Sequence, residues 1–185
     1  MADRDNHYEA AFEAYLRARR LPYVAVDEAR RSLAGDGTSI KNLDFIVSTP
    51  GWLTWLIDVK GRRFPSGEQK QYWKNWTSRD DLASLARWEG LFGKRFRAIL
   101  VFAYWIVGDR SPLPAGQLFA HAGGLYGFVA IPLADYAPFA RPISPRWDTV
   151  AMPAARFRSL ARPVEHYLIA APQHAEPARG ARGLP

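Results

Sequence analysis

Trp55-Leu56-Ile57-Asp58-Val59-Lys60-Gly61-Arg62-Arg63 is a short apolar run into which an acid and a lysine are set one residue apart. Side chains alternate between the faces of a strand, so Asp58 and Lys60 point one way while Ile57 and Val59 point into packing. A carboxylate and an ammonium then sit side by side. Burial of charge is costly unless the charges are paired or bind a metal. The pair is therefore either a salt bridge on an exposed strand face or part of a site, and its neighbours in the chain must decide.

The preceding strand is Asn42 to Val47, in which Leu43, Phe45 and Val47 share a face and leave Asp44 on the other. Ser48-Thr49-Pro50-Gly51 is turn chemistry, which folds this strand back on the next as an antiparallel hairpin. Residues on one face of such a pair lie within about 5–8 Å of one another. Asp44 stands about six residues before Pro50 and Asp58 about eight after it, so one slip or bulge brings the two acids together.

Ahead of the hairpin, residues 5–20 have the spacing of an amphipathic helix through Tyr8, Phe12, Tyr15 and Leu16, with Asp5 or Asn6 as its N-cap. Glu9 and Glu13 share a face of it. They read either as solvated acids complementing the helix dipole or, for Glu9, as an acid at the edge of the buried stripe. Leu21-Pro22 ends the helix. A first strand follows at 23–26, then a polar loop at 27–38 with Arg30 and Arg31 exposed.

Beyond the opening stretch, residues 64–76 mix turn residues, lysines and aromatics, Lys70 and Trp73 among them. They form a loop whose aromatics either stack on a nucleic acid or cover the core. Thr77 or Ser78 caps a helix, with Asp80 or Asp81 completing a capping box and Gly93 ending it, and this helix reads as scaffold. Residues 97–107 form a central strand buried on both faces, reached by a crossover. Further strands are expected at 117–121, 126–131 and 146–152, then a helix opened by Pro153. His121, alone near a turn, reads as a structural or surface residue.

With 185 residues and 48% hydrophobic content, the chain suits one domain, 1–171, followed by a disordered Pro/Ala/Gly/Arg tail at 172–185. It has no cysteine, so disulfides and thiolate metal sites are excluded. It also lacks an apolar run long enough to span a bilayer, which leads us to expect a soluble, cytoplasmic protein. The formal net charge of +7 favours polyanionic partners.

The order helix with Glu9, strand, strand with Asp44, strand with Asp58-x-Lys60, helix, strand resembles the PD-(D/E)XK nuclease superfamily. In shape it resembles the archaeal Holliday-junction resolvases, with a helix acid preceding the strands. That resemblance implies an α/β, restriction-endonuclease-like αβββαβ core with a mixed central sheet flanked by helices, extended by C-terminal strands and a helix. Asp44 matches the first motif acid, Asp58 the second, Lys60 the lysine and Glu9 the helix acid, with Glu13 as an alternate. Leu43 stands where the motif has proline, and Asp58 where glutamate is more usual. More narrowly, His7-Tyr8-Glu9-Ala10-Ala11-Phe12-Glu13 is similar to the signature of the bacterial HYExAFE family.

The implied activity is a metal-dependent endonuclease acting on phosphodiester bonds, in DNA rather than RNA. Glu9, Asp44 and Asp58 offer the hard oxygen ligands that suit Mg²⁺ or Mn²⁺. Lys60 would position the attacking water or stabilise the transition state. Arg30, Arg31, Arg62, Arg63, Lys70 and Trp73 are the candidate nucleic-acid contacts. Two active sites for two strands would make a homodimer. The alternatives are a catalytically inactive nucleic-acid-binding module that keeps the fold, and an interaction or scaffold protein.

Overall fold

The computed structural model describes residues 6–27, 31–33, 35–50, 53–66, 73–144 and 146–169. Arg30, Lys70 and the expected tail at 172–185 lie outside these residues.

Helix α1, His7–Ala18, starts at Asn6, whose side chain accepts a hydrogen bond from Tyr8 N at 3.2 Å. Its buried stripe of Ala11, Phe12, Tyr15 and Leu16 also takes in Glu9. The chain then passes through β1 (Tyr23–Ala25), β2 (Arg31–Leu33), β3 (Ser39–Lys41), β4 (Phe45–Ser48), β5 (Thr54–Phe64) and β6 (Thr77–Ser78). Helix α2 (Arg79–Phe92) leads into β7 (Phe96–Ile106), and β8 (Phe119–His121) into β9 (Gly124–Pro132). The C-terminal part adds α3 (Leu133–Tyr136), β10 (Arg141–Ser144), β11 (Thr149–Ala151), α4 (Ala154–Leu160), β12 (Arg162–Pro163) and α5 (Glu165–Leu168).

The main sheet runs β1-β4-β5-β7-β9-β12, with β8 paired to β9. Its centre is the parallel pair β5 and β7, registered from Thr54↔Phe96 to Phe64↔Ile106 and joined through α2. The flanking pairs β4–β5 and β7–β9 are antiparallel, so the sheet is mixed. Alternation along β5 feeds two cores. Ile57 and Val59 pack with Phe12, Phe45 and Val101 beneath α1. Leu56 packs on the opposite face with Leu85, Leu100, Phe102 and Phe157. Asp58 and Lys60 fall on that second face, the side covered by α2.

The structure departs from the sequence reading in four places. The segment expected as a loop at 27–38 contributes instead to a β2–β3 hairpin registered Arg31↔Lys41 and Leu33↔Ser39. Ile40, 2% exposed, anchors it, and its other attachments are polar contacts to α2. The strand expected at 42–47 begins only at Phe45, and Leu43 joins the core under α2 while Phe45 and Val47 join the core under α1. Strands β10 and β12 and helix α5 are short elements that carry too few residues for a readable period. Pro153 is the N-cap of α4 and not its first helical residue. No helix among the described residues is long and apolar enough to cross a membrane.

Candidate active site

Strand alternation delivers Lys60 Nζ to 2.7 Å from Asp58 Oδ2, the adjacency expected of an Asp-x-Lys in a strand. The pair is not on an exposed face, because the Asp58 and Lys60 side chains are 7% and 12% exposed. What covers them is the N-terminus of α2. Asp81 Oδ2 lies 2.9 Å from Lys60 Nζ, and its Oδ1 lies 2.6 Å from Lys41 Nζ on β3.

Asp81 is fixed by a capping box. Ser78 Oγ accepts from Asp81 N at 3.0 Å, and Asp81 Oδ2 accepts from Ser78 N at 3.2 Å and from Thr77 Oγ1 at 3.0 Å. Burial opposes its charge, but the charges of Lys60 and Lys41 and the hydrogen bonds from their ammonium groups outweigh burial and hold the carboxyl well below the usual carboxylate range. The N-terminal end of α2 acts in the same direction. Asp81 was not a candidate on sequence grounds. Its capping-box position was legible, yet a cap occupies only part of a carboxylate, and the rest reaches a lysine on another element.

Asp44 lies just outside the paired part of β4 and clasps β5 on both sides of Asp58. Its N–H donates to Ile57 O at 2.9 Å, and its Oδ2 accepts from Val59 N at 2.6 Å. Its own carbonyl accepts from Val26 N on the β1 side. The ladder of β4 and β5 ends at Phe45↔Ile57, and past that point Asp44 lies near enough to Asp58 for the charge of Asp58 to act on its carboxyl. Burial pushes the Asp44 carboxyl well above its ordinary value, and the charges of Asp58 and Glu9 push it further. Burial also raises Asp58, against the pull of Lys60.

Glu9 reaches this locus from α1. It is 3% exposed and accepts from Asn6 Nδ2 at its own helix start. The helix is seated by His7 Nδ1, 2.9 Å from Tyr126 Oη, and by Tyr8, whose ring occupies the space a Cβ at Gly61 would fill. Glycine is thus required where α1 crosses β5, one residue past Lys60. Glu13 is engaged elsewhere, 2.6 Å from Arg17 and accepting from Tyr23 Oη at 2.8 Å. The structure groups Glu9 with Asp44 and sets Glu13 apart.

The expected nucleic-acid contacts are dispersed. Arg62 turns inward, donating to Gly61 O at 2.5 Å and to Trp76 O, with its guanidinium 3.7 Å from the Trp76 ring centroid. Burial pulls its pKa down to about 10. Arg31 is paired with Asp80 at 3.0 Å. Trp73 sets its ring edge-on to Phe64, Tyr104 and Phe157, which is the core-covering alternative. Arg63 is exposed beside Trp105.

Among the described residues no three His, Cys, Asp or Glu side chains form a ready metal cluster. The carboxylates gathered here are of the hard-oxygen type that Mg²⁺ and Mn²⁺ take as ligands. Glu9, Asp44, Asp58 and Asp81 bring four carboxylates against the two ammonium groups of Lys41 and Lys60. Beyond the ion contact with Lys60, no described group donates to the buried Asp58 Oδ2. A cavity of about 10 Å³ beside Asp58, lined also by Lys41, Asn42, Asp81 and Ser84, has room for about one water.

No protein-family model matches the chain, and no curated protein matches it. Among solved structures it is similar to Hjc, a Holliday junction resolvase from the archaeal hyperthermophile Archaeoglobus fulgidus. The TM-score is 0.51 at 11% identity, over 86% of this chain and 96% of that one. The likeness is one of fold: a mixed central sheet flanked by helices, of the resolvase and restriction-endonuclease-like type.

Proposed function

We propose that this chain is a metal-dependent nuclease that hydrolyses phosphodiester bonds in DNA, with Glu9, Asp44, Asp58 and Lys60 as its site. The observation that carries the reading is the Asp44 clasp on β5, which sets a second buried carboxyl against the Asp58–Lys60 pair. The resolvase-like fold and the +7 charge support it. The HYExAFE-like stretch at 7–13 belongs to the same proposal, since it supplies Glu9 and the Tyr8 ring that seats α1 on β5.

Asp44 and Asp58 would hold Mg²⁺ or Mn²⁺ through carboxylate oxygens, with Glu9 as the third acid. The chemistry such an ion would supply is polarisation of the scissile phosphate, activation of a water and an offset to charge on the leaving oxygen. Lys60, kept cationic by Asp58 and Asp81 against the effect of burial, orients the attacking water and stabilises the charge of the pentavalent transition state. Arg63 meets a neighbouring phosphate from the solvent side. The protein works in the cytoplasm, as a homodimer where two strands are cut.

A second reading, a nucleic-acid-binding module without catalysis, is favoured by one observation: Lys60 and Asp58 already neutralise each other in a buried ion pair. Calorimetric titration of the purified chain with Mn²⁺ separates the two. The nuclease reading expects saturable binding that Asp44→Ala and Asp58→Ala each abolish. No binding at millimolar Mn²⁺, together with salt-sensitive DNA binding, would leave the second reading standing.

A further inference from the structure

Strands β6, β11 and β10 form a small separate sheet, and two tryptophans stand in solvent on it. Trp147, in the turn between β10 and β11, is 69% exposed, and Trp76, just before β6, is 40% exposed. Each carries a guanidinium on its ring: Arg62 at 3.7 Å from the Trp76 centroid and Arg146 at 5.2 Å from that of Trp147. The register Val150↔Thr77 sends those two side chains inward, where both are buried. Trp76 therefore faces outward, above a groove shared with Lys74, Ile143 and Ala151.

Charge narrows what such a surface suits. From 139 to 158 the chain carries Arg141, Arg146, Arg156 and Arg158 against Asp148 alone, and Asp148 is taken by Arg79 at 2.9 Å. An apolar partner gains nothing from that excess of cations. A nucleic-acid strand uses both features, because its phosphates meet the arginines and its bases stack on the indoles. Bases within a duplex are stacked on one another, so the exposed indoles suit unpaired ones. The surface also runs into the site. Trp76 is followed by Thr77, which donates to Asp81, and Arg62 follows Lys60 on the same face of β5.

We propose that the Arg62–Trp76 and Arg146–Trp147 couples form a stacking platform for unpaired nucleotides beside the Asp58–Lys60 site. It rests on the nuclease reading of that site and specifies its substrate as a nucleic acid with a single-stranded segment.

The test uses the full chain carrying Asp58→Ala, so that cleavage cannot intervene. Fluorescence anisotropy measures its binding to a short labelled oligothymidylate and to a duplex of equal length. The single strand binds in preference, Trp76→Ala and Trp147→Ala each weaken that binding about five- to tenfold, and Trp147→Phe restores it. Trp147 is a surface residue, so its variant folds as the parent does, which its thermal midpoint checks. Binding indifferent to Trp147, or a duplex bound as well as the single strand, overturns the platform. So does a dimer that Trp147→Ala dissolves without any loss of oligonucleotide binding. Absence of cleavage by the unsubstituted chain would remove the nuclease reading and leave this measurement intact. Cleavage alongside tryptophan-independent binding would remove the platform alone.

Discussion

Asp81 Oδ2 lies 2.9 Å from Lys60 Nζ, so the lysine of the strand motif is held from the helix after it as well as from Asp58. Asp81 thereby links the start of the crossover helix to the chemistry of β5. In Asp81→Asn the capping role largely survives and the charge on Lys60's partner does not. We predict a fall in kcat of about ten- to a hundredfold with little change in KM. Asp81→Ala loses the cap as well, at about 1 kcal/mol of stability. Steady-state cleavage assays and thermal melts read the two effects separately, and an unchanged kcat in Asp81→Asn would show that Lys60 does not depend on it.

Asp44 carries the opposite electrostatic signature. Its carboxyl is raised by burial, Asp58 and Glu9, so the folded state holds that proton more tightly than the unfolded chain does. The stability this contributes is present at acid pH and is lost as pH rises from the ordinary value near 3.8 through the raised one. Asparagine keeps an acceptor for Val59 N and carries no charge. Asp44→Asn should therefore melt higher than the parent without metal, by about 2–4 °C for each kcal/mol gained, with a gap that widens as pH rises. It should also be inactive. A variant that melts lower at neutral pH would place the value of Asp44 in folding and not in function.

Much of the fold is legible in the sequence. The eleven-residue runs of β5 and β7 announced themselves by length and by β-branched and aromatic content, and the Ser78–Asp81 capping box by its spacing. The β2–β3 hairpin was not legible, because its anchors are Ile40 and polar partners on α2 such as Asp80, Asp81 and Ser84, all remote in sequence. The face of Leu43 does not follow from alternation, because the Asp44 side chain bonds the β5 backbone and the ladder stops at Phe45. For Trp73 and Arg62, composition identifies the residue type but not whether it faces solvent or core.

The two acids of α1 should separate cleanly. Glu9→Gln should lower cleavage at least about tenfold, as loss of a group at a metal site does. Glu13→Gln removes an ion pair with the largely exposed Arg17, worth about 1 kcal/mol or less, and should leave turnover unchanged. Equal losses from both substitutions would break the pairing of Glu9 with Asp44.

Gly61 tests how α1 is seated. A methyl group there runs into the Tyr8 ring, so Gly61→Ala should cost about 1–3 kcal/mol through overpacking. Because the same contact holds Glu9 in place, turnover should fall as well, and Tyr8→Ala in the same chain should recover part of the stability. A Gly61→Ala chain as stable and as active as its parent would mean that α1 is held by other contacts.

The most direct measurement is cleavage itself. Linear, nicked and branched DNA, each with a single-stranded segment, is incubated with the purified chain and Mg²⁺ or Mn²⁺, beside Asp58→Ala and Lys60→Ala. The account predicts metal-dependent hydrolysis by the unsubstituted chain that both variants lose and chelator stops. Hydrolysis that survives both substitutions, or none on any substrate with either metal, would contradict it.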